Sequence, residues 1–132
     1  MNNDVFREIS THLPLAVEDC HQDPESDTLF LSGSEWRLRV SGPWRLTTQN
    51  VIEASRDTEA TSDMAGKVRS LVGSQIVDVQ PQSRFNTLDI ALLMRDGRVL
   101  EIFSDYIYDN WLLSVGGVAI EGPLQSLGSG GQ

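Results

Sequence analysis

His12, Glu18, Asp19, Cys20, His21 and Asp23 are the residues of this chain whose types and closeness could hold a metal ion. A zinc site needs three or four such groups at definite spacing, usually in pairs that the fold brings together. Here Cys20 and His21 are adjacent, no second pair follows, and neighbouring side chains of an extended segment point apart. The set reads as a solvated acidic loop, so no metal or other cofactor is expected. Nucleophilic catalysis needs a thiol or hydroxyl held beside a base. Both histidines precede residue 22, in the segment expected to be least rigid. Asp89 and Glu101 could share the outer face of one hairpin, where acids are ordinarily just solvated. Gly116-Gly117 falls between two strand-like runs and reads as a turn, not as a phosphate loop opening a helix. These readings point to a non-enzyme.

Two other groups suit binding. Arg37, Arg39 and Arg45 fall on the outer face of a predicted hairpin whose register sets Arg39 opposite Arg45, a clash that calls for a carboxylate. Glu53 on the next strand could answer it internally, or the arginines could form an anion-binding or interface patch. Asp105-Tyr106-Ile107-Tyr108-Asp109-Asn110 joins two predicted strands. Its Asp105, Tyr106, Tyr108 and Asp109 either make a hot spot for a basic protein or close the end of the core with hydroxyls at the surface.

The elements that must position these residues show in the apolar pattern. Leu88, Ile90, Leu92 and Met94 alternate with less apolar neighbours, as in a strand with one inner face. Register then decides the turn. A two-residue loop at Asp96-Gly97 would set Arg95 against Arg98 and Leu92 against Glu101. A three-residue loop, Arg95-Asp96-Gly97 with Gly97 left-handed, sets Met94 against Arg98, Leu92 against Leu100, Ile90 against Ile102 and Ala91 against Glu101. The longer loop is predicted.

Upstream, Trp36, Leu38 and Val40 alternate with Arg37 and Arg39, Ser41-Gly42-Pro43 turns, and Trp44, Leu46 and Thr48 continue. The predicted meander sets Val40 against Trp44 and Leu38 against Leu46, with Ile52 and Ala54 of a third strand on the same inner face. The three tryptophans are expected in the core. Residues 1–13 suggest a short helix through Val5, Phe6, Ile9 and Leu13, stopped by Pro14. Residues 18–28 read as a loop. Ser62–Val72 is the main predicted helix, with Met64, Val68, Leu71 and Val72 on one stripe, Gly66 suited to close packing and Gly73 as the left-handed stop. Strands are also predicted at Gln75–Gln80, Trp111–Val115 and Val118–Glu121.

With 132 residues, 39% hydrophobic and 22% charged, the chain suits one globular domain. No apolar run reaches the ~18 residues of a membrane-spanning helix, and the amino terminus lacks the pattern of a signal peptide. A lone cysteine forms no internal disulfide, so a cytoplasmic setting is expected. The net charge is −9, and residues 1–30 hold seven acids against Arg7 alone. Such a balance repels nucleic acid and anionic membranes and attracts a basic protein, unless it serves solubility only.

The run from Val68 and Leu71 through Gly73, Ile76, Val79, Leu88-Asp89-Ile90, Asp96-Gly97 and Leu100-Glu101-Ile102-Phe103 to Asn110-Trp111 resembles an uncharacterised family of small bacterial proteins. Some of these look like immunity proteins that neutralise toxins. The resemblance covers roughly residues 28–122 and carries no catalytic residues.

The predicted fold is α+β: a single antiparallel, twisted or rolled sheet packed against one central helix, with a short N-terminal helix. The divisions are an acidic segment 1–27, the domain 28–124 and a flexible tail 125–132. The expected function is non-enzymatic protein binding by a monomer or weak homodimer, with a basic toxin domain as the partner the resemblance implies. The alternative is a small-ligand module with a pocket in the curved sheet, lined by Trp44, Leu92 and Phe103.

Overall fold

The computed structural model describes residues 3–49, 51–56, 62–105 and 110–124, and within them period-two alternation prevails over helical spacing. In chain order the elements are α1 (Asn3–Ser10), β1 (Leu15–Ala16), β2 (Asp19–Gln22), β3 (Leu29–Gly33), β4 (Trp36–Val40), β5 (Trp44–Thr48) and β6 (Val51–Ser55). There follow α2 (Ser62–Arg69), β7 (Gln75–Pro81), β8 (Ile90–Met94), β9 (Arg98–Ile102), β10 (Trp111–Val115) and β11 (Val118–Gly122). The strands make two antiparallel sheets, one of six in the order β1-β7-β8-β9-β5-β6 and one of five in the order β11-β10-β4-β3-β2. The predicted α+β class with one sheet and a central helix is therefore corrected: the protein is mostly β, with two small helices.

The reason lies in where the apolar faces go. Leu46, Leu92, Leu100 and Ile102 of the six-stranded sheet are fully buried, as are Leu31, Leu38, Val40 and Leu113 of the other. They belong to one hydrophobic cluster, so each sheet covers the other. That leaves the margins for the helices. α2 lies against β2 and β6, the last strands of the two sheets, and α1 lies against β7 and β11 on the opposite side. Val68 and Leu71 are buried, but Val72 is exposed and a side chain at Gly66 would meet nothing, so the predicted tight packing there does not occur. Gly73 does stop the turn with a φ of 93°. Ile9 of α1 is buried, and Val5 and Phe6 of α1 and Leu13 just beyond it pack on the core, although the helix ends at Ser10 and not at residue 13. No described helix is long and apolar enough to cross a membrane.

The β8–β9 hairpin follows its predicted register. Leu92 pairs with Leu100 and Ala91 with Glu101, and Gly97 takes a φ of 94° in the three-residue turn. Arg98 fastens this turn to the segment after α2. It meets Asp96 at 2.8 Å and donates to Ser70 Oγ at 2.7 Å and Ser74 Oγ at 3.1 Å. The Arg98 hydrogen bond holds the Asp96 carboxyl below its usual range. β10 and β11 pair from Val115–Val118 to Trp111–Gly122 around Gly116-Gly117. Residues 19–22, predicted as loop, instead form β2 and pair with β3, which carries Cys20 into the core beside Leu31.

The predicted meander is divided. β4 and β5 lie in different sheets: Leu38 pairs with Leu31 and Leu113, whereas Leu46 pairs with Leu100 and Ala54. Ser41-Gly42-Pro43 is thus a crossover. The N–H groups of Ser41 and Gly42 both donate to the Asn110 carbonyl, and Phe103 N–H donates to the Pro43 carbonyl. A Cβ on Gly42 would lie 2.7 Å from Asn110 Oδ1, so only glycine permits this approach. A bulge between Leu46 and Thr47 turns Ile52 outward to 54% exposure while Ala54 stays inside, correcting the predicted position of Ile52.

Asp89 ties the same end together. Predicted on the outer face, it is only 3% exposed and precedes β8. Its Oδ1 accepts from Trp111 Nε1 at 2.8 Å and Ser104 Oγ at 2.5 Å, and its Oδ2 accepts from Asn86 Nδ2 at 3.1 Å. All three tryptophans are buried, as predicted. Trp36 donates to the Ala16 carbonyl, whereas the buried Trp44 N–H has no acceptor among the described residues.

Asp89→Ala is expected to cost about 3 kcal/mol in urea unfolding, because three donors lose a buried acceptor. Ser104→Ala should cost about 1 kcal/mol. Trp111→Phe should cost more than Trp44→Phe, since only the first removes a hydrogen bond. Equal losses for the two tryptophans would contradict this account.

Candidate functional site

Strand register decides which loops share an end. Gln22, Leu29, Val40, Trp111 and Gly122 align across the five-stranded sheet, and Pro81, Ile90, Ile102 and Trp44 begin or end strands at the corresponding margin of the other. Segments 23–28, 41–43, 82–89 and 103–105 consequently leave the strands at one end. Asp23, Glu25, Asp27 and Asp105 are accessible to solvent there. Asp23 lies below its usual range because the Ser26 hydroxyl and then the Glu25 N–H donate to it.

Segment 82–89 supplies what sequence reasoning missed. Phe85 is 87% exposed and Leu88 46% exposed. The loop beneath them is fixed: Ser83 Oγ accepts from the N–H groups of Phe85 and Asn86, Asn86 Oδ1 accepts from Leu88 N–H, and Asn86 reaches Asp89. The Arg84 guanidinium sits 4.9 Å from the Phe85 ring centre. Through Asp89 this loop adjoins Ser104 and therefore Asp105. The only signal in the sequence is one aromatic residue inside the polar run Ser83–Thr87.

Of the predicted acidic-aromatic patch, Asp105 is described: it is exposed, lies 3.7 Å from Arg56, and its N–H donates to Asn110 Oδ1. Tyr106, Tyr108 and Asp109 lie outside the described residues.

The arginine trio does not stay together. Arg45, on the six-stranded sheet, pairs with Glu101 at 2.6 Å and lies 5.2 Å from the Phe103 ring centre. Glu53, the carboxylate predicted to answer the arginines, instead accepts from Thr48 and faces Lys67 at 3.9 Å. Arg37 and Arg39 remain side by side on the outer face of the five-stranded sheet, where they border a groove of about 440 Å³ together with Phe30, Ser32 and Leu112. At its rim His21 stacks on Phe30 with ring centres 5.2 Å apart and its Nδ1 lies 2.9 Å from Asp19 Oδ2.

The other candidates are dispersed. Cys20 points into the core while Asp19 and His21 point outward, and His12 lies against Gly116. Trp44 and Leu92 are buried between the sheets and Phe103 lies against Arg45, so these three do not surround a common pocket. Burial pushes the Cys20 thiol from 9.0 up to about 12, and Asp19 adds to the effect. Such a thiol supplies little thiolate near neutral pH.

Compared with known protein families, curated proteins and solved structures, the chain shows no match.

Cys20 is expected to react with a disulfide reagent at pH 8 at least about a hundredfold more slowly in the native protein than in urea. Stability follows the same linkage. The unfolded thiol ionises near 9.0 and the folded one near 12, so the contribution is intact below pH 9 and is lost as pH rises toward 12. Cys20→Ser unfolding curves across that window provide the check: the wild-type decline should be the steeper.

Proposed function

We propose that this chain is a non-enzymatic, cytoplasmic protein-binding domain of the immunity type, which occludes a basic toxin domain. The supporting observation is Phe85. A phenyl ring left in water forgoes roughly 2 kcal/mol of burial, and here it is held out on a hydrogen-bonded loop that Asp89 links to Ser104, the neighbour of the exposed Asp105. An exposed aromatic on a hydrogen-bonded loop suits an interface anchor, because little backbone entropy is lost when it docks. The net charge of −9 supports the choice of a basic partner.

In this reading the acidic end steers the encounter. Asp105 and Asp109 occupy places that phosphates would take on a nuclease-like partner, while Phe85, Tyr106 and Tyr108 supply the apolar anchors. Charge then governs the on-rate and the anchors govern the off-rate.

Pull-down from the source cell's lysate at low salt and at ~0.5 M salt tests the reading. A basic protein should be retained at low salt and weakened at high salt. Asp105→Lys with Asp109→Lys should slow its association about tenfold at low salt. Phe85→Ala should speed its release by a similar factor. A captured protein that binds all three variants as it binds wild type would remove this end from consideration.

A further inference from the structure

The groove on the outer face of the five-stranded sheet makes a second and separate case. Its geometry follows from the ladder. Arg37 and Arg39 project from one face of β4, about 7 Å apart along the strand. Each heads a row. Ser32 and Ser114 flank Arg37 on β3 and β10, whereas Phe30 and Leu112 flank Arg39 on the same two strands. The groove therefore has a polar row beside an apolar one, with a guanidinium in each.

Charge and position together set these two residues apart. In a chain with nineteen acids, Arg7, Arg45, Arg56, Lys67 and Arg98 each face a carboxylate. Among the described residues Arg37 and Arg39 do not, nor do Arg69, Arg84 and Arg95, but Arg37 and Arg39 stand side by side on one sheet face and repel one another across a short gap. The Arg39 Nε is buried and has no hydrogen-bond acceptor among those residues. Two acids lie within the same rows. Asp19 is separated from Arg37 by the intervening β3 and is engaged by His21, and Glu121 lies beyond Leu112 on β11. The fold leaves a pair of guanidinium groups without an ion pair among the described residues, beside the half-buried Phe30 and Leu112, in a recess that Asp19 and His21 also line and that is large enough for a small molecule.

We propose that this groove binds a small organic carboxylate, its carboxylate group bridging Arg37 and Arg39 and its apolar body lying on Phe30 and Leu112. A planar guanidinium matches a carboxylate through two parallel N–H donors, and Ser32 offers a third donor beside Arg37. This site is independent of the acidic end, and its test involves no partner protein.

The experiment is a titration of the full chain with benzoate, acetate, phenyl phosphate and inorganic phosphate, followed by NMR at backbone amides and arginine Nε–H groups. Benzoate should shift Arg37, Arg39, Phe30 and Leu112 saturably, and acetate should bind more weakly because it lacks the apolar body. Arg37→Gln and Arg39→Gln should each weaken benzoate about tenfold. Their unfolding midpoints should match wild type, since both side chains lie outside the core. Benzoate shifts that never saturate, fall elsewhere, or persist unchanged in both variants would overturn the proposal. Inorganic phosphate binding as tightly as benzoate would overturn the role of the apolar row. Phenyl phosphate binding more tightly than benzoate would overturn the carboxylate assignment.

Discussion

The hydrogen bond from the Trp111 indole to Asp89 joins the two sheets at the end where the chain passes from β4 to β5. Asp89 begins the run into β8 of one sheet, and Trp111 opens β10 of the other. Neither group can find water where it sits, so breaking the bond leaves a donor and an acceptor stranded together. The rest of that end is arranged around it. Ser104 and Asn86 use the remaining capacity of Asp89, while Asn110, one residue before Trp111, receives the backbone of the Ser41–Pro43 crossover. Gly122 is part of the same arrangement: a side chain there would strike the Trp111 indole. What the end displays to solvent, Phe85 and Asp105, depends on this buried bond for its position.

Much of the strand content was legible because alternation reports which side chains go inward. Leu38, Val40, Trp44 and Leu46 are all buried as the pattern requires. Alternation does not report what an inward face meets. Two strands facing each other across a core show the same pattern as two strands paired in a ladder, and Ser41-Gly42-Pro43 suits either connection. The fact deciding between them is that Asn110 accepts the Ser41 and Gly42 N–H groups, and it lies about 70 residues along the chain. The helix illustrates the same limit. Val68 and Leu71 require a buried stripe, and that requirement is met equally by a central position and by the margin between β2 and β6.

For the candidate sites, residue type was readable and grouping was not. Arg45 separates from Arg37 and Arg39 because it belongs to the other sheet, which the turn residues did not disclose. Asp89 was placed outside by extending the period of β8 one residue too far, into a segment where alternation has ended. Phe85 was overlooked because a single aromatic in a polar stretch has no periodicity to mark it. Asn110-Trp111 stood out for a resemblance, and in the fold both residues hold the crossover end together.

The pairing of β4 with β10 has a consequence for how the chain is made. Leu38 meets Leu113, so β4 leaves the ribosome with one side of its backbone open and waits for a strand some seventy residues behind it. At the usual pace of synthesis that delay is on the order of several seconds. β5 waits in the same way for β9. The β2–β3–β4 unit can assemble early, but the sheet that covers its apolar face is not complete until β8 and β9 have emerged. During that interval the outward-facing Arg37 and Arg39 are the charges standing beside the unpaired edge, where like charge on two nascent chains keeps those edges from joining.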